Sequence, residues 1–170
     1  ADRPDIVVDS AGRDIGIELM ELVPPTYAQA VAIANREFPS VIVDRSVFGW
    51  GTTWTPAAIR EHLRCEGHWL SGDGWAGDAV EREWATAVCS AIEKKTERLN
   101  TQGFRSFSGN WLGTYASSPG PVFDVDLGAR FLAVSDLRRP QFTRNFELVA
   151  NLVRDSVVVI SGEGVTTCSY

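Results

Sequence analysis

The N-terminal segment alternates between apolar and polar positions. Asp5-Ile6-Val7-Val8-Asp9 is rich in β-branched residues, Ser10-Ala11-Gly12-Arg13 has turn chemistry, and Asp14 to Glu21 alternates again. That pattern predicts a β-hairpin. With a two-residue loop at Ala11-Gly12, Asp9 faces Asp14, Val7 faces Gly16 and Asp5 faces Glu18. One face of the ribbon then gathers Ile6, Val8, Ile15, Ile17 and Leu19, and Ile6, Val8, Ile15 and Ile17 are expected to be buried. The other gathers Asp5, Val7, Asp9, Asp14, Gly16, Glu18 and Met20. A slip of one residue would mix the two sets, so the pattern selects this register. The loop itself is a weaker signal, because Ala-Gly is not the favoured Asn-Gly or Asp-Gly turn.

Helical spacing takes over after Pro24-Pro25. Tyr27, Val31, Ala34 and Phe38 form a stripe, so Thr26 to Phe38 is predicted as a helix. Ser40 to Asp44 reads as a short strand. Residues 46–78 hold Trp50, Trp54, Trp69 and Trp75 among many glycines, as in FGWGTTW. They read as an irregular insertion with one short helix near Ala57 to Cys65. A longer helix is expected from Gly77 to Asn100, where Val80, Trp84, Val88, Ile92 and Leu99 recur. Trp111 to Tyr115 follows as a strand and Phe123 to Asp136 as a partly helical segment. Phe146 to Val153 and Ser156 to Ser161 make a second hairpin around Arg154-Asp155, with a last strand within Val165 to Tyr170. Together these elements predict a single α/β (α+β) domain over residues 1–170, with a mixed β-sheet and a Trp/Gly-rich insertion at about 46–78.

Composition narrows the class. A chain of 170 residues with 44% hydrophobic and 22% charged residues is expected to bury a core of its own, not to stay disordered. The longest apolar runs, such as Val157 to Ile160, are too short to cross a bilayer, so no membrane partner is expected. Cys65, Cys89 and Cys168 are an odd set, and ADRPDIVVDS has no basic-apolar leader, which fits a reducing cytoplasm. The net charge is −6. Residues 1–85 carry 7 Lys/Arg against 14 Asp/Glu, and residues 86–170 carry 9 against 8. An acidic total argues against broad nonspecific nucleic-acid binding but allows a local basic groove. His62-x-x-Cys65-x-x-His68 can be read as a zinc site or as ordinary packing, and its spacing is not a common zinc pattern. The sequence holds no Gly-rich phosphate loop, nucleophile elbow or dinucleotide fingerprint.

Two places carry candidate chemistry. The predicted register sets Asp5 opposite Glu18, and like charges directly opposed destabilise a ribbon by about 0.2–1 kcal/mol. A divalent cation would remove that penalty, since Mg²⁺ takes one or two carboxylates together with waters and phosphate oxygens. The other reading is an exposed hairpin edge with solvated charges. On the long helix, Val88, Ile92, Lys95 and Leu99 step by 4, 3 and 4, which puts Lys95 in the apolar stripe and Lys94 off it. Lys95 then either meets an anionic partner at the sheet or snorkels to the helix edge.

Several motifs together resemble one family. Pro4-Asp5, a short hairpin and Gly16-Ile17-Glu18-Leu19-Met20-Glu21-Leu22 match a "P-D-hydrophobic … G-hydrophobic-E-V-T-E-L" signature. Ala91-Ile92-Glu93-Lys94-Lys95-Thr96-Glu97-Arg98, followed by Asn110-Trp111-Leu112, matches an "A-I-x-x-K-x-x-K" helix before a Trp-Leu strand. The closing hairpin from Phe146 through Ile160 is similar too. The chain resembles the PD-(D/E)XK nuclease superfamily, in an uncharacterised bacterial branch. The resemblance implies a restriction-endonuclease-like mixed sheet flanked by helices and Mg²⁺- or Mn²⁺-dependent cleavage of DNA phosphodiesters. Asp5 and Glu18 would be the metal ligands. The superfamily's catalytic lysine stands two residues after the glutamate, where this chain has Met20, and Lys95 is the candidate replacement. Arg98 is a candidate phosphate ligand and Gln102 a candidate for orienting water. The superfamily also places a helix and a strand before the aspartate strand. Tyr27 to Phe38 and Ser40 to Asp44 are the segments that could substitute, unless both elements have been removed. Two functions therefore compete: a metal-dependent nuclease, and a degenerate nuclease-fold domain acting as a binding or assembly module. The tryptophans of 46–78 are either an aromatic platform for a sugar or partner, or staples that hold the insertion to the core. A homodimer or another protein partner stays open.

Overall fold

The computed structural model describes residues 4–66, 72–99, 107–116, 124–134, 148–153, 156–161 and 164–169. The N-terminal hairpin forms in the predicted register. β1 (Ile6–Ser10) pairs antiparallel with β2 (Arg13–Glu21), with Val7 opposite Gly16 and Asp9 opposite Asp14. Ala11 (φ 53°) and Gly12 (φ 77°) both take the left-handed conformation. This is the tight loop that the twist of a hairpin favours, and the Asp9 carboxylate accepts the Gly12 N–H at 3.0 Å.

From β2 the chain passes through α1 (Pro25–Glu37), α2 (Pro56–Glu66) and α3 (Ala79–Leu99) before β3 (Gly109–Tyr115). α1 starts where Pro25 sits in its first turn, a position that lacks an intrahelical acceptor anyway. β3 lies parallel to β2, which is why so long a crossover is needed. A second crossover carrying α4 (Val125–Val134) leads to β4 (Leu148–Val153), parallel to β3. β5 (Ser156–Ser161) and β6 (Gly164–Ser169) then complete an antiparallel meander. Among the described residues the result is one six-stranded mixed sheet in the order β1-β2-β3-β4-β5-β6. The turn expected at Arg154-Asp155 lies outside the described residues.

The main core lies on one face of this sheet. Leu22 and Leu112 pack there against Trp84, Ala85, Val88, Ala91 and Ile92 of α3 and Leu132 of α4, with Met20 partly buried beside them. Alanines at 85, 87 and 91 give α3 a flat surface toward its neighbours. The Arg82 guanidinium lies 4.3 Å above the Phe131 ring, a cation–π contact that ties the start of α3 to α4.

Two expectations are corrected. The first is the buried face of the hairpin. Ile15 is buried, but Ile17 is half-buried and Ile6, Val8 and Leu19 are exposed. The helix-covered face is the other one, bearing Gly16, Glu18 and Met20. It looks polar within the hairpin alone, and becomes apolar only when Leu22 and the neighbouring Leu112 are added. The second concerns Ser40 to Asp44, which is irregular chain and not a strand. Val41 and Val43 instead pack against a separate cluster of Ala30, Ile33, Ala34, Phe48, Ile59 and Leu63. The irregular stretch expected at 46–78 does carry its one short helix, α2, which packs on α1 to build that second cluster.

Candidate metal and phosphodiester site

The candidate site is built where β2 meets α3. Glu18 sits in the middle of β2, opposite Leu112 of β3, on the face that α3 covers. Two residues earlier, Gly16 lies under the Phe107 ring. A Cβ on Gly16 would come within 2.8 Å of that ring, so the aromatic side chain closes down on bare backbone. From the helix side, Val88, Ala91 and Ile92 are buried, and Lys95 continues the same stripe.

Lys95 reaches the sheet. Its Nζ lies 2.6 Å from Glu18 Oε2, and the two side chains are only 12% and 8% exposed. Lys94 is exposed. The 4, 3, 4 spacing thus identifies the inward lysine, and the ammonium has an anionic partner instead of snorkelling to water. Removing one member of such a pair costs more than the pair contributes, because a lone buried charge remains.

Asp5 precedes β1 and is exposed. Its Oδ2 accepts the Leu19 N–H at 2.7 Å. Ile6 and Ile17 are the last pair of the ladder, so the carboxylate stands in for the backbone acceptor that β1 lacks beyond Ile6. Asp5 therefore lies on the edge side of Glu18 while Lys95 approaches from the helix side. Met20, two residues after Glu18, packs against the core and carries no charge. Glu21 is exposed on the opposite face. Arg98, one turn beyond Lys95, is exposed, and Gln102 lies outside the described residues.

Among the described residues no three His, Cys, Asp or Glu side chains gather into a metal-binding group. The Asp5–Glu18 pair offers two carboxylates, which is what Mg²⁺ needs when waters and phosphate oxygens complete its shell. Two carboxylates meet only that minimum, and each already has a partner, Asp5 in the Leu19 N–H and Glu18 in Lys95. His62 is taken up by packing: its ring meets Phe48 and Trp54 edge-on, at 5.4 and 5.5 Å between centroids. Cys65 is exposed with its Sγ 3.4 Å from Glu61 Oε1, and His68 lies outside the described residues.

The tryptophans of 46–78 act as staples where they are described. Trp54 packs on the second cluster and Trp50 against the main core. The Trp75 indole N–H donates to Glu83 Oε2 at 2.6 Å, while Glu83 Oε1 accepts the Trp50 N–H at 3.1 Å. Trp69 lies outside the described residues.

Sequence reasoning missed three acidic residues that organise the chain around the site. Glu81, in the first turn of α3, is buried and accepts the Asp124 N–H at 2.8 Å, just before α4. Glu83 clamps residues 50 and 75. Asp44 is buried and accepts bonds from the Ser46 N–H, the Ser46 hydroxyl and the Gly72 N–H. Burial pushes the Asp44 carboxyl upward, but these bonds from Gly72 and Ser46, with a smaller pull from His62, hold it below the ordinary aspartate value. The only sequence signal for Glu81 and Glu83 was the preference of acids for helix N-termini.

No family model, no curated protein and no solved structure matches this chain, so its residues and their geometry carry the functional reading.

Proposed function

We propose that the chain is a Mg²⁺-dependent nuclease of the PD-(D/E)XK type acting on DNA, with Asp5 and Glu18 as metal ligands and Lys95 supporting the attacking water. The observation that carries this reading is the Lys95–Glu18 contact across the helix–sheet boundary. An inward lysine next to a buried glutamate, with a second carboxylate one strand away, is the set that phosphodiester hydrolysis uses. A bound cation would supply Lewis-acid polarisation and a more acidic water. The protein's own contributions are positional. Glu18, on β2, and Asp5, just before β1, present hard oxygen donors. Lys95 donates hydrogen bonds from a site screened from bulk water, where it can hold a water or a phosphate oxygen once Glu18 turns to another partner. Arg98, on the exposed continuation of the helix, is suited to a flanking phosphate.

A second reading has its own observation. Glu18 is already neutralised by Lys95, and Asp5 is already engaged with the Leu19 N–H, so both carboxylates are satisfied without a cation. With Met20 in place of a strand lysine, this describes a degenerate nuclease fold that serves as a binding or assembly module.

Calorimetric titration with Mn²⁺, run beside a supercoiled-plasmid nicking assay, separates the two. Wild type should bind Mn²⁺ and nick slowly, and Glu18→Gln should do neither. Failure of wild type to bind at millimolar Mn²⁺ would transfer the conclusion to the binding-module reading.

A further inference from the structure

Among the described residues β1 is one edge of the sheet, and no described strand pairs with it on that side. The two-residue loop makes Ser10 and Arg13 a hydrogen-bonded pair, so the alternation of an antiparallel ladder makes Val8–Ile15 and Ile6–Ile17 hydrogen-bonded too. The N–H and C=O of Val7 and Asp9 therefore point off the edge, away from β2. The bond from the Leu19 N–H toward Asp5 has the same phase, since alternate residues of β2 face β1.

The strand is apolar as well as unpaired. Ile6, Val7 and Val8 are 43, 51 and 39% exposed; Leu19 and Tyr115 extend the face of Ile6 and Val8 onto β2 and β3, and Val7 lies on the other face. Natural edges are usually blunted by lysine, proline or a bulge. β1 has none of these, and its sequence is IVVDS. What it has is acid at both ends, Asp5 and Asp9, with Asp14 opposite Asp9 on β2. In the antiparallel register of fullest overlap, a second copy would set Asp5 against Asp9 twice. Like charges so opposed disfavour self-pairing. The same acids favour a strand with a basic residue at each of those positions.

We propose that the β1 edge takes up an extended segment of a partner protein, of pattern basic–apolar–polar–apolar–basic, as an added antiparallel strand. The central residue bonds to Val7, the two apolar residues extend the strip begun by Ile6 and Val8, and the basic residues lie opposite Asp5 and Asp9. Main-chain bonds would supply affinity, and the alternating side chains would supply choice of partner. This surface shares Asp5 with the proposed metal site but needs neither a cation nor Lys95, so its test stands whether or not the nuclease reading holds.

The test uses the full chain and fluorescein-labelled peptides with the core Lys-Val-Thr-Ile-Lys, read by anisotropy. This peptide should bind at least tenfold more tightly than one with Glu-Val-Thr-Ile-Glu. N-methylation of the central Thr, whose N–H must face Val7, should abolish binding, whereas N-methylation of the following Ile should leave it intact. Asp9→Asn keeps an acceptor for the Gly12 N–H while removing the charge, and should weaken the lysine peptide by about two- to fivefold. Equal binding of both peptides, indifference to the position of the methyl group, or no binding at millimolar peptide would overturn the proposal. So would sedimentation showing a stable dimer that excludes the peptide, since that assigns the edge to a second copy.

Discussion

At the scale of single residues, the pair that decides most is Lys95 with Glu18. Each is tolerated in a nearly closed site because the other is there. Lys95→Met should destabilise the fold by about 3–5 kcal/mol, and so should Glu18→Leu, because each leaves one buried charge without its counterion. The double variant should return close to wild type, since an apolar pair of similar volume needs no desolvation. Urea denaturation of the four proteins measures this, and additive single effects would show that the two residues are not coupled. The hairpin loop gives a prediction of opposite sign. Ala11 carries a Cβ in the left-handed region at φ 53°. That conformation costs an ordinary residue about 1–2 kcal/mol, and asparagine tolerates it better. Ala11→Asn should therefore raise the stability by about 0.5–1 kcal/mol, seen as a higher urea midpoint at unchanged slope.

At the scale of elements, α1 and α2 are held together by the second apolar cluster and by a surface tie. Arg60 meets Glu37 through Nε at 2.7 Å and a further guanidinium nitrogen at 3.0 Å, with Arg36 on the same carboxylate. The Arg60 hydrogen bond, then that from Arg36, pulls the Glu37 carboxyl from 4.5 down to about 2. A depressed carboxyl pKa contributes stability above the unfolded value and loses it as pH falls through the folded one. Glu37→Gln should therefore lower the melting temperature slightly near pH 6, and the difference should vanish as pH falls from 4.5 toward 2. Molar salt should also shrink it, because the pair is solvent-exposed. The main helices, both hairpins and the register of β1 on β2 were legible in the sequence because each rests on local periodicity. The false strand at 40–44 shows where that ends. Val41 and Val43 carry the β-branched signal of a strand, but the Val41 N–H turns back to the Phe38 carbonyl and Asp44 binds Ser46, so their apolar side chains serve a helix pair. The buried face of β2 was misjudged for a related reason. Which face two helices cover depends on Leu112, 94 positions from Glu18, and the hairpin alone holds no record of it. The inward direction of Lys95 was legible from spacing, whereas the use of Asp5 to finish a ladder required knowing where β1 stops.

For the whole molecule, the decisive quantity is the linkage between cation binding and folding. If Asp5 and Glu18 hold a metal, the native state binds it and the unfolded chain does not, so stability rises with metal concentration. At one hundred times the dissociation constant the gain is about 2.7 kcal/mol. A kilocalorie shifts the midpoint of a chain this size by roughly 2–4 °C, so the melting temperature should rise by roughly 5–10 °C in saturating Mn²⁺. Glu18→Gln should remove the rise, and Asp5→Asn should weaken it, since asparagine still offers an acceptor to the Leu19 N–H but no charge to a cation. Lys95→Met separates the roles further. With the ammonium gone, Glu18 has no internal counterion, so the apo protein should melt lower while the Mn²⁺-induced rise becomes larger. Nicking activity should fall in the same variant. Greater metal stabilisation together with lost cleavage is the signature of a lysine that serves the reacting water and competes with the metal for its glutamate. A Lys95→Met protein whose melting temperature ignores Mn²⁺ would identify the Glu18–Lys95 contact as structural alone.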